Sequence, residues 1–240
     1  MLFALVVVTG CATAHKDSFN NGRPDSGIHT TDSPGGGHQD SGGGGSGTID
    51  APPHIDAPSG GTTQTLSQST SNTDSGVGIA CGPTAGGYTL KNSFYRVFTL
   101  SDYGISGVFH VSGVDFVASG VAGSPPIRVS VGTYNGTVSS ASLSGTISLA
   151  QSANINPGTG TNSIHVPLTA DISGNLVIEI DQTTDGTTAN GYTFYPGANA
   201  SGETKPGYIM APGCSVNTPT NITTAAGATV NLIMSVTGST

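Results

Sequence analysis

An alternation of apolar and polar residues with a period of two runs through the chain after Asp74 and constrains its fold more than any other feature. Ile127, Val129 and Val131 alternate with polar neighbours, and a similar alternation returns over residues 230–236. Side chains of a β-strand point to its two faces in turn, so such runs place one face against a core. No segment shows a helical period of useful length. The sequence therefore predicts an all-β domain.

Further strand candidates are separated by turn sequences. The candidates are residues 88–100, 108–118, 143–150, 163–168, 176–181, 191–195 and 207–210, and the turns are Asn135-Gly136, Asn156-Pro157-Gly158, Ser173-Gly174-Asn175 and Asp185-Gly186. These residue types favour tight turns. About eight to ten short strands in this order predict an antiparallel β-sandwich of jelly-roll type, with an immunoglobulin-like sandwich as the alternative.

One strand candidate changes parity along its length. Its apolar positions shift from Phe109 and Val111 to Val114 and Phe116. A single extra residue restores the alternation after such a shift. The sequence thus predicts a β-bulge near Ser112-Gly113.

The segment before the β region has almost no apolar residue capable of building a core. It contains the runs Gly35-Gly36-Gly37 and Gly42-Gly43-Gly44-Gly45 among many Ser, Asp and Pro residues. Such a composition is typical of flexible linkers. The predicted organisation is a disordered linker over residues 11–73 and a β-sandwich over residues 74–240.

The first ten residues have the character of a leader. An apolar run from Leu2 to Val8 precedes the small residues Thr9-Gly10, as in secretory signal peptides, although no Lys or Arg precedes the run. The run is too short to span a bilayer. Residues 1–10 are therefore predicted to be a signal peptide, the alternative being that residues 2–8 form a strand and Cys11 is an ordinary cysteine.

The end of this leader resembles the lipobox of bacterial lipoproteins. The lipobox-like residues are Val8-Thr9-Gly10-Cys11, and the repeats Ile49-Asp50-Ala51-Pro52 and Ile55-Asp56-Ala57-Pro58 resemble the spacers of myxobacterial surface lipoproteins. The resemblance implies that Cys11 becomes the new N-terminus and carries the acyl chains. It also implies an exported protein that its lipid anchors to a membrane, at the outer membrane or the cell surface.

The β region resembles an uncharacterised β domain found near the ends of exported bacterial proteins. Its opening is carried by NSFYRVF (92–98), GISGVFHV (104–111) and VDF (114–116), and its close by GYTFYPGANASG (191–202) and PGYIMAPGC (206–214). The resemblance covers about residues 79–238. It implies the β-sandwich class and carries no assigned activity.

The three cysteines of the chain have two different expected roles. Cys11 belongs to the lipobox, which leaves Cys81 and Cys214 near the two ends of the β region. In an oxidising compartment such a pair normally forms a disulfide. By the chain-entropy model, closing a loop of roughly 130 residues stabilises a fold by about 5 kcal/mol. The alternative is two separate buried thiols.

The charge balance excludes some classes of partner. Only 8 % of the 240 residues are charged, and the net charge is −8. Nucleic-acid binding needs clustered Lys and Arg against the phosphates, and the six basic residues are scattered over the whole chain. The same count excludes a polybasic membrane patch, so the lipid at Cys11 is the predicted membrane contact.

Catalytic signatures are absent from the sequence. The predicted folded part holds two histidines, His110 and His165, neither in a recognisable context, and no Gly-x-Ser-x-Gly elbow appears. Both histidines are interpreted as ordinary strand residues. The sequence accordingly predicts no catalytic residue, no enzyme activity and no cofactor.

Four charged residues attract weaker hypotheses. Arg96 and Glu179 each interrupt an apolar run. They either point to solvent or pair with each other in a semi-buried ion pair, where each charge offsets the desolvation of the other. Asp181 and Asp185 lie in one oxygen-rich segment, which makes them a weak calcium candidate against the reading as a polar hairpin.

These features favour a non-enzymatic, surface-anchored lipoprotein whose sandwich acts in interaction, adhesion or envelope architecture. Its expected ligand is a protein or a glycan. A carbohydrate-binding module is the alternative, although the chain has no Trp and leaves stacking to its seven Tyr. A secreted hydrolase, or an accessory domain of one, is the third reading.

Overall fold

The structure is a computed structural model that describes residues 11–14, 61–83, 87–160 and 162–240. The predicted signal peptide, residues 1–10, and residues 15–60 of the predicted linker lie outside these ranges. For Cys11–Ala14 the backbone alone is described.

The described chain is built mainly of strands. In chain order they are β1 (Cys11–Ala14), β2 (Thr63–Ser67), β3 (Gly78–Cys81), β4 (Ser93–Thr99), β5 (Phe109–Ala122), β6 (Ile127–Asn135), β7 (Thr146–Ile155), β8 (Asn162–Ile172), β9 (Asn175–Gln182), β10 (Thr193–Pro196), β11 (Ala198–Asn199), β12 (Tyr208–Ala211), β13 (Val216–Asn221), β14 (Asn231–Leu232) and β15 (Met234–Ser239). Short 3-10 turns cover Leu100–Tyr103 and Pro212–Cys214, and one α-helix, α1, covers Ile222–Ala226.

Two antiparallel sheets form the sandwich. The larger sheet has the order β13-β12-β4-β9-β6-β7, and in the smaller sheet β5 lies between β8 and β15, with β2 beyond β15. β10 continues the β15 side of the smaller sheet against the end of β5. Two short pairs, β1 with β3 and β11 with β14, complete the pairing.

Eight of these strands have the connectivity of a jelly roll. The sheets β2-β15-β5-β8 and β4-β9-β6-β7 face each other, and the chain changes sheet at most of its connections. β12 and β13 extend the larger sheet beyond β4. The predicted antiparallel sandwich is confirmed, and its strand order is that of the jelly roll rather than of the immunoglobulin-like alternative.

The core lies between the two sheets. Phe94 and Phe98 of the larger sheet and Phe109 and Phe116 of the smaller sheet are buried, and Phe194 packs edge-on between Phe94 and Phe116. Each such side chain stabilises the fold by about 1.5–3 kcal/mol relative to an exposed one. The predicted bulge is confirmed, since the pairing of β5 with β8 shifts register between Val111 and Gly113.

The sandwich begins earlier than the sequence predicted. β2 lies in the segment assigned to the linker, yet it pairs with β15 along its whole length, and Leu66 is fully buried. This corrects the boundary at residue 74. Leu66 is the sole apolar residue of β2, so the local pattern was too weak to indicate a strand. Cys11–Ala14, also assigned to the linker, pairs with β3 and sets Cys11 opposite Cys81 in register.

The predicted disulfide is confirmed. Cys81 and Cys214 are bonded across a sequence separation of 133, with their Cα atoms 5.9 Å apart. The bond joins the end of β3 to the turn that follows β12. It therefore ties the beginning of the sandwich to its final third.

The helical content is slight. The side chain of Asn221 caps α1 by accepting bonds from the backbone of Thr223 and Thr224, and Gly227 ends it with a φ of 67°. In the ranges that the structure describes, no helix combines the length and the apolar character needed to cross a membrane.

Candidate functional site

The outer face of the smaller sheet carries two cross-strand His–Asp pairs. In the first, His110 Nδ1 of β5 lies 2.7 Å from Asp171 Oδ1 of β8. In the second the residue types exchange strands, and His165 Nδ1 of β8 lies 2.8 Å from Asp115 Oδ1 of β5. These four residues and Thr237 of β15 are called the His–Asp face below.

The bulge in β5 places both pairs on the same face. His110 and Asp115 are five positions apart, an odd spacing that in a regular strand puts two side chains on opposite faces. The register shift between Val111 and Gly113 changes the parity by one residue. Asp115 consequently joins His110 on the outer face, while Val114 stays buried.

The absence of a side chain at Gly113 leaves space for the imidazole of His165. A Cβ at this position would lie 2.5 Å from Cε1 and 3.1 Å from Nε2 of His165. The imidazole thus packs directly against the backbone of β5. Any larger residue at Gly113 would displace the ring from its carboxylate partner.

Hydroxyl groups extend the second pair across the sheet. Thr237 donates from Oγ1 to Asp115 Oδ2 at 3.4 Å, and its hydroxyl lies 3.2 Å from that of Thr65 on β2. Ser112 donates to the carbonyl of Thr237 at 3.2 Å. The polar network therefore reaches over β2, β15, β5 and β8.

The pairs are open to solvent. The side chains of His110 and Asp171 are 55 % and 71 % exposed, and those of His165 and Asp115 are 58 % and 40 % exposed. Each imidazole uses Nδ1 for its carboxylate, and its Nε2 makes no hydrogen bond to another described residue. The face thus presents ring nitrogens, carboxylate oxygens and hydroxyls to a ligand.

The arrangement differs from that of a hydrolase. Nucleophilic catalysis needs a hydroxyl or thiol on the free nitrogen of a histidine that a carboxylate orients. Here the hydroxyl of Thr237 bonds to the carboxylate of Asp115, on the side away from the imidazole. Each histidine lies beside a carboxylate on an open sheet face, and neither lines the cavities of about 360 and 210 Å³ found elsewhere on the described surface.

Arg96 and Glu179 do not form the hypothesised ion pair. In the pairing of β4 with β9, Arg96 stands opposite Ile178, while Glu179 stands opposite Tyr95. Neighbouring residues of a strand point to opposite faces, so Arg96 faces the core and Glu179 the outside of the larger sheet. The prediction was wrong because it depended on a register that the sequence does not show.

Arg96 is fully buried and pairs with Glu203. Its Nη2 lies 2.7 Å from Glu203 Oε2 and donates to the carbonyl of Leu232 at 3.0 Å. Its Nη1 donates to Gln68 Oε1 and to the carbonyl of Lys205, each at 3.3 Å. Burial lowers the pKa of Arg96, and the Glu203 carboxylate opposes this shift.

Glu179 forms part of an acidic cluster on the outer face of the larger sheet. Tyr95 donates its hydroxyl to Glu179 Oε1 at 2.8 Å, and Arg128 Nη2 lies 3.9 Å from Oε2. The carboxylate is nearly buried in spite of its outward direction. This burial raises the pKa of Glu179, the hydrogen bond from Tyr95 lowers it, and the charge of Asp181 raises it further.

The two residues of the weak calcium hypothesis make separate contacts. Asp181 Oδ2 lies 2.8 Å from Arg128 Nη2, and its Oδ1 accepts from Ser93 at 3.0 Å. Asp185 Oδ1 accepts from the backbone amide of Lys91 at 2.7 Å. Among the described residues, no three His, Cys, Asp or Glu side chains group as metal ligands. The two carboxylates therefore have different partners, and calcium binding stays a prediction.

The tyrosines do not form an open stacking platform. All seven lie in the described ranges; three are buried and four are partly buried: Tyr95, Tyr134 and Tyr208, then Tyr88, Tyr103, Tyr192 and Tyr195. Glycan recognition by stacking needs an exposed ring face. These residues contribute more to packing than to a sugar-binding surface.

Sequence reasoning missed the partners on the His–Asp face. Asp115, Asp171 and Thr237 are ordinary polar residues at alternating positions of their strands. A signal was present, since His110, Asp115 and His165 lie in predicted β segments and Asp171 lies three positions beyond one. The register that joins them is a tertiary property, and the chain alone does not display it.

Comparison with known proteins yields no relative. No protein-family model, no curated protein and no solved structure matches the chain. The lipid attachment at Cys11 and the resemblance to exported bacterial domains stay predictions.

Proposed function

We propose that this chain is an exported lipoprotein, anchored to the outer membrane or the cell surface through acyl chains on Cys11. Its sandwich is a non-enzymatic binding module in adhesion or envelope architecture. The His–Asp face is its ligand-contacting surface. No nucleic acid is expected among its ligands.

The disulfide supports export. Cys81 and Cys214 are bonded in the fold, and structural disulfides persist in oxidising compartments rather than in the cytosol. The lipobox-like residues before Cys11 supply the matching signal at the N-terminus. Together they favour a protein that folds after translocation.

The binding role rests on one observation, the two open His–Asp pairs on a single sheet face. Even as full ion pairs, such exposed contacts would contribute at most about 1 kcal/mol to stability, so folding alone gives little reason for them. Their geometry offers donors and acceptors at fixed positions on rigid strands. Such a surface fits a polar protein segment better than a sugar ring, because the tyrosines are at most partly exposed.

Anchoring is tested by expressing the full gene in a Gram-negative host. The wild-type chain is expected in the detergent-soluble membrane fraction with an acylated Cys11, identified by mass spectrometry of its N-terminal peptide. The Cys11→Ser variant is expected to lose the lipid, whereas the control Thr13→Ser keeps it. Membrane attachment and maturation unchanged in Cys11→Ser would contradict the lipid anchor.

Binding is tested with the full chain on arrays of envelope proteins and glycans. The double variant His110→Gln/His165→Gln should lose at least about tenfold in affinity for a captured ligand, since it removes the two imidazole rings that Asp171 and Asp115 hold in place. The control Thr218→Ala changes an exposed residue of the other sheet. Binding retained in the double variant would contradict the assigned face.

The same proteins decide between binding and catalysis. Turnover of ester, peptide or glycoside substrates that the double variant loses would replace the binding role by the hydrolase reading. Glycan capture that survives the double variant but is lost on replacing a partly buried tyrosine such as Tyr192 would favour the carbohydrate-binding alternative.

A further inference from the structure

The two sheets have four outermost strands, and these differ in how their free edges are protected. The larger sheet ends at β7 and β13, and the smaller sheet at β8 and β2. An unpaired edge exposes backbone N–H and C=O groups that another strand can join. Proteins therefore shorten such edges, charge them, cover them or interrupt them with proline.

The edge at β13 is covered by the connection between β6 and β7. The backbone amide of Leu143 donates to the carbonyl of Pro219 at 2.9 Å, and that of Asn221 donates to the carbonyl of Ala141 at 2.8 Å. Ser142 and Thr220 form an isolated bridge at the same place. This edge is therefore closed to a further strand.

The smaller sheet protects both of its edges. β8 contains Pro167, which lacks a backbone N–H, and carries the charged partners His165 and Asp171 on either side of it. β2 has five residues, which leaves little edge to pair. Neither strand offers a long, regular template.

β7 lacks most of these devices. It has ten residues, none of them charged and none a proline, and it pairs with β6 alone among the described strands. Leu149 is 42 % exposed on it. Its one irregularity is Ala150, an extra residue between the partners of Val131 and Gly132, which leaves a regular stretch from Gln151 to Ile155.

We propose that two copies of this chain associate by antiparallel pairing of residues 151–155 of β7. The pairing is isologous, because each copy presents the same edge across a twofold axis. With Ala153 on the axis, Ser152 lies opposite Asn154 and Gln151 opposite Ile155, so no like charges meet. The two larger sheets then continue as one.

The small area of this contact indicates that it forms between copies held in a membrane and not in dilute solution. Five paired residues bury far less than the roughly 1,200 Å² of a stable interface, so the association is weak in dilute solution. Two copies held in one membrane reach an effective concentration in the millimolar range, which compensates for weak affinity. This part of the inference rests on the lipid anchor proposed above.

The test places a photo-crosslinking residue at Gln151 in the acylated full chain in lipid vesicles. A mixture of ¹⁵N-labelled and unlabelled protein is irradiated, and crosslinked peptides are identified by mass spectrometry. Crosslinks between β7 of two copies are expected. Crosslinks that map mainly to other surfaces would overturn the proposal.

Two variants at one position separate charge from the loss of a hydroxyl. Ser152→Lys places two ammonium groups near the axis and should lower the crosslink yield at least tenfold. Ser152→Ala removes the hydrogen bond to Ser130 without adding charge, and its yield should not change. Thr169→Lys puts the same charge on β8 and should also leave the crosslink yield unchanged. Equal crosslink yields from all three variants would overturn the proposed pairing.

A second experiment in solution tests the β7 pairing independently of the lipid anchor. The Cys11→Ser chain is crosslinked at millimolar concentration with and without Ser152→Lys. Pairing that Ser152→Lys abolishes supports the β7 contact even if Cys11 carries no lipid. Absence of pairing in both the vesicles and the concentrated solution would refute it, whatever the state of Cys11.

Discussion

Arg96 and the His–Asp face use the same type of contact in opposite surroundings. Arg96 contacts Glu203 in the interior with no exposed surface, whereas the histidines of the outer face are more than half exposed. The hydrogen-bond distances are alike, at 2.7–2.8 Å. Burial, rather than distance, therefore separates a contact that the fold depends on from one that is available to a ligand.

The reason lies in solvation. A charge removed from water loses several kcal/mol of hydration, so the interior pair persists only while both partners and their hydrogen bonds are present. An exposed pair keeps most of its hydration and is screened by salt. Glu179 stands between these limits, since it points outward but is nearly buried.

The largest effect is expected at Arg96. Arg96→Met leaves the Glu203 carboxylate without its partner and removes four hydrogen bonds, which should lower the free energy of unfolding by about 3–5 kcal/mol. Denaturant unfolding with the disulfide intact measures it. The double variant Arg96→Met/Glu203→Gln should recover part of the loss.

A matched surface pair serves as the control for this prediction. Lys205 and Asp102 lie 3.6 Å apart with side chains about half exposed. Lys205→Met should change stability by less than about 1 kcal/mol. Equal losses of unfolding free energy from Arg96→Met and Lys205→Met would mean that burial does not determine how much an ion pair contributes to stability.

An intermediate effect, dependent on pH, is expected at Glu179. Burial raises its pKa above the ordinary value of 4.5, so the folded state binds the proton more readily than the unfolded state. Its contribution is then present in full below pH 4.5 and is lost as the pH rises through the raised value. Glu179→Gln should remove this falling component.

The measurement compares unfolding free energies of wild type and Glu179→Gln from mildly acidic to neutral pH. Their difference should shift in favour of the variant as the pH rises. Asp102→Asn, which removes a half-exposed carboxylate that no histidine contacts, corrects for the general effect of charge. A difference between wild type and Glu179→Gln that does not vary with pH would show that the carboxylate titrates alike in both states.

The smallest effect on stability is expected at the His–Asp face. His110→Gln/His165→Gln should lower the free energy of unfolding by less than about 1 kcal/mol per pair, because both pairs are exposed. The prediction is checked in the unfolding experiments used for Arg96. A loss as large as that of Arg96→Met would assign the face to folding and remove the main argument for ligand binding.

Several features were predictable because their causes are local. Alternating side chains indicated the strands, turn residues marked their ends, and the parity change between Val111 and Val114 located the bulge. The pairing of Cys81 with Cys214 followed from the cysteine count and the expected compartment. Each of these features depends on neighbouring residues or on the number of cysteines.

Other features depended on contacts between distant segments. β2 forms a strand because it pairs with β15. Its single apolar residue, Leu66, was too weak a pattern to predict a strand from the sequence. Arg96 pairs with Glu203, more than one hundred positions away in the sequence, and not with Glu179 in the adjacent strand. The His–Asp face likewise required the register of β5 with β8.

The sequence by itself determined the β class, the bulge in β5 and the two cysteines that form the bond. The tertiary structure alone decided which charges are buried, which histidine contacts which carboxylate, and that β7 has an edge with which no other described strand pairs. The physical reason is that periodicity and turn chemistry act over a few residues, whereas burial and strand register arise only when segments far apart in the chain pack together.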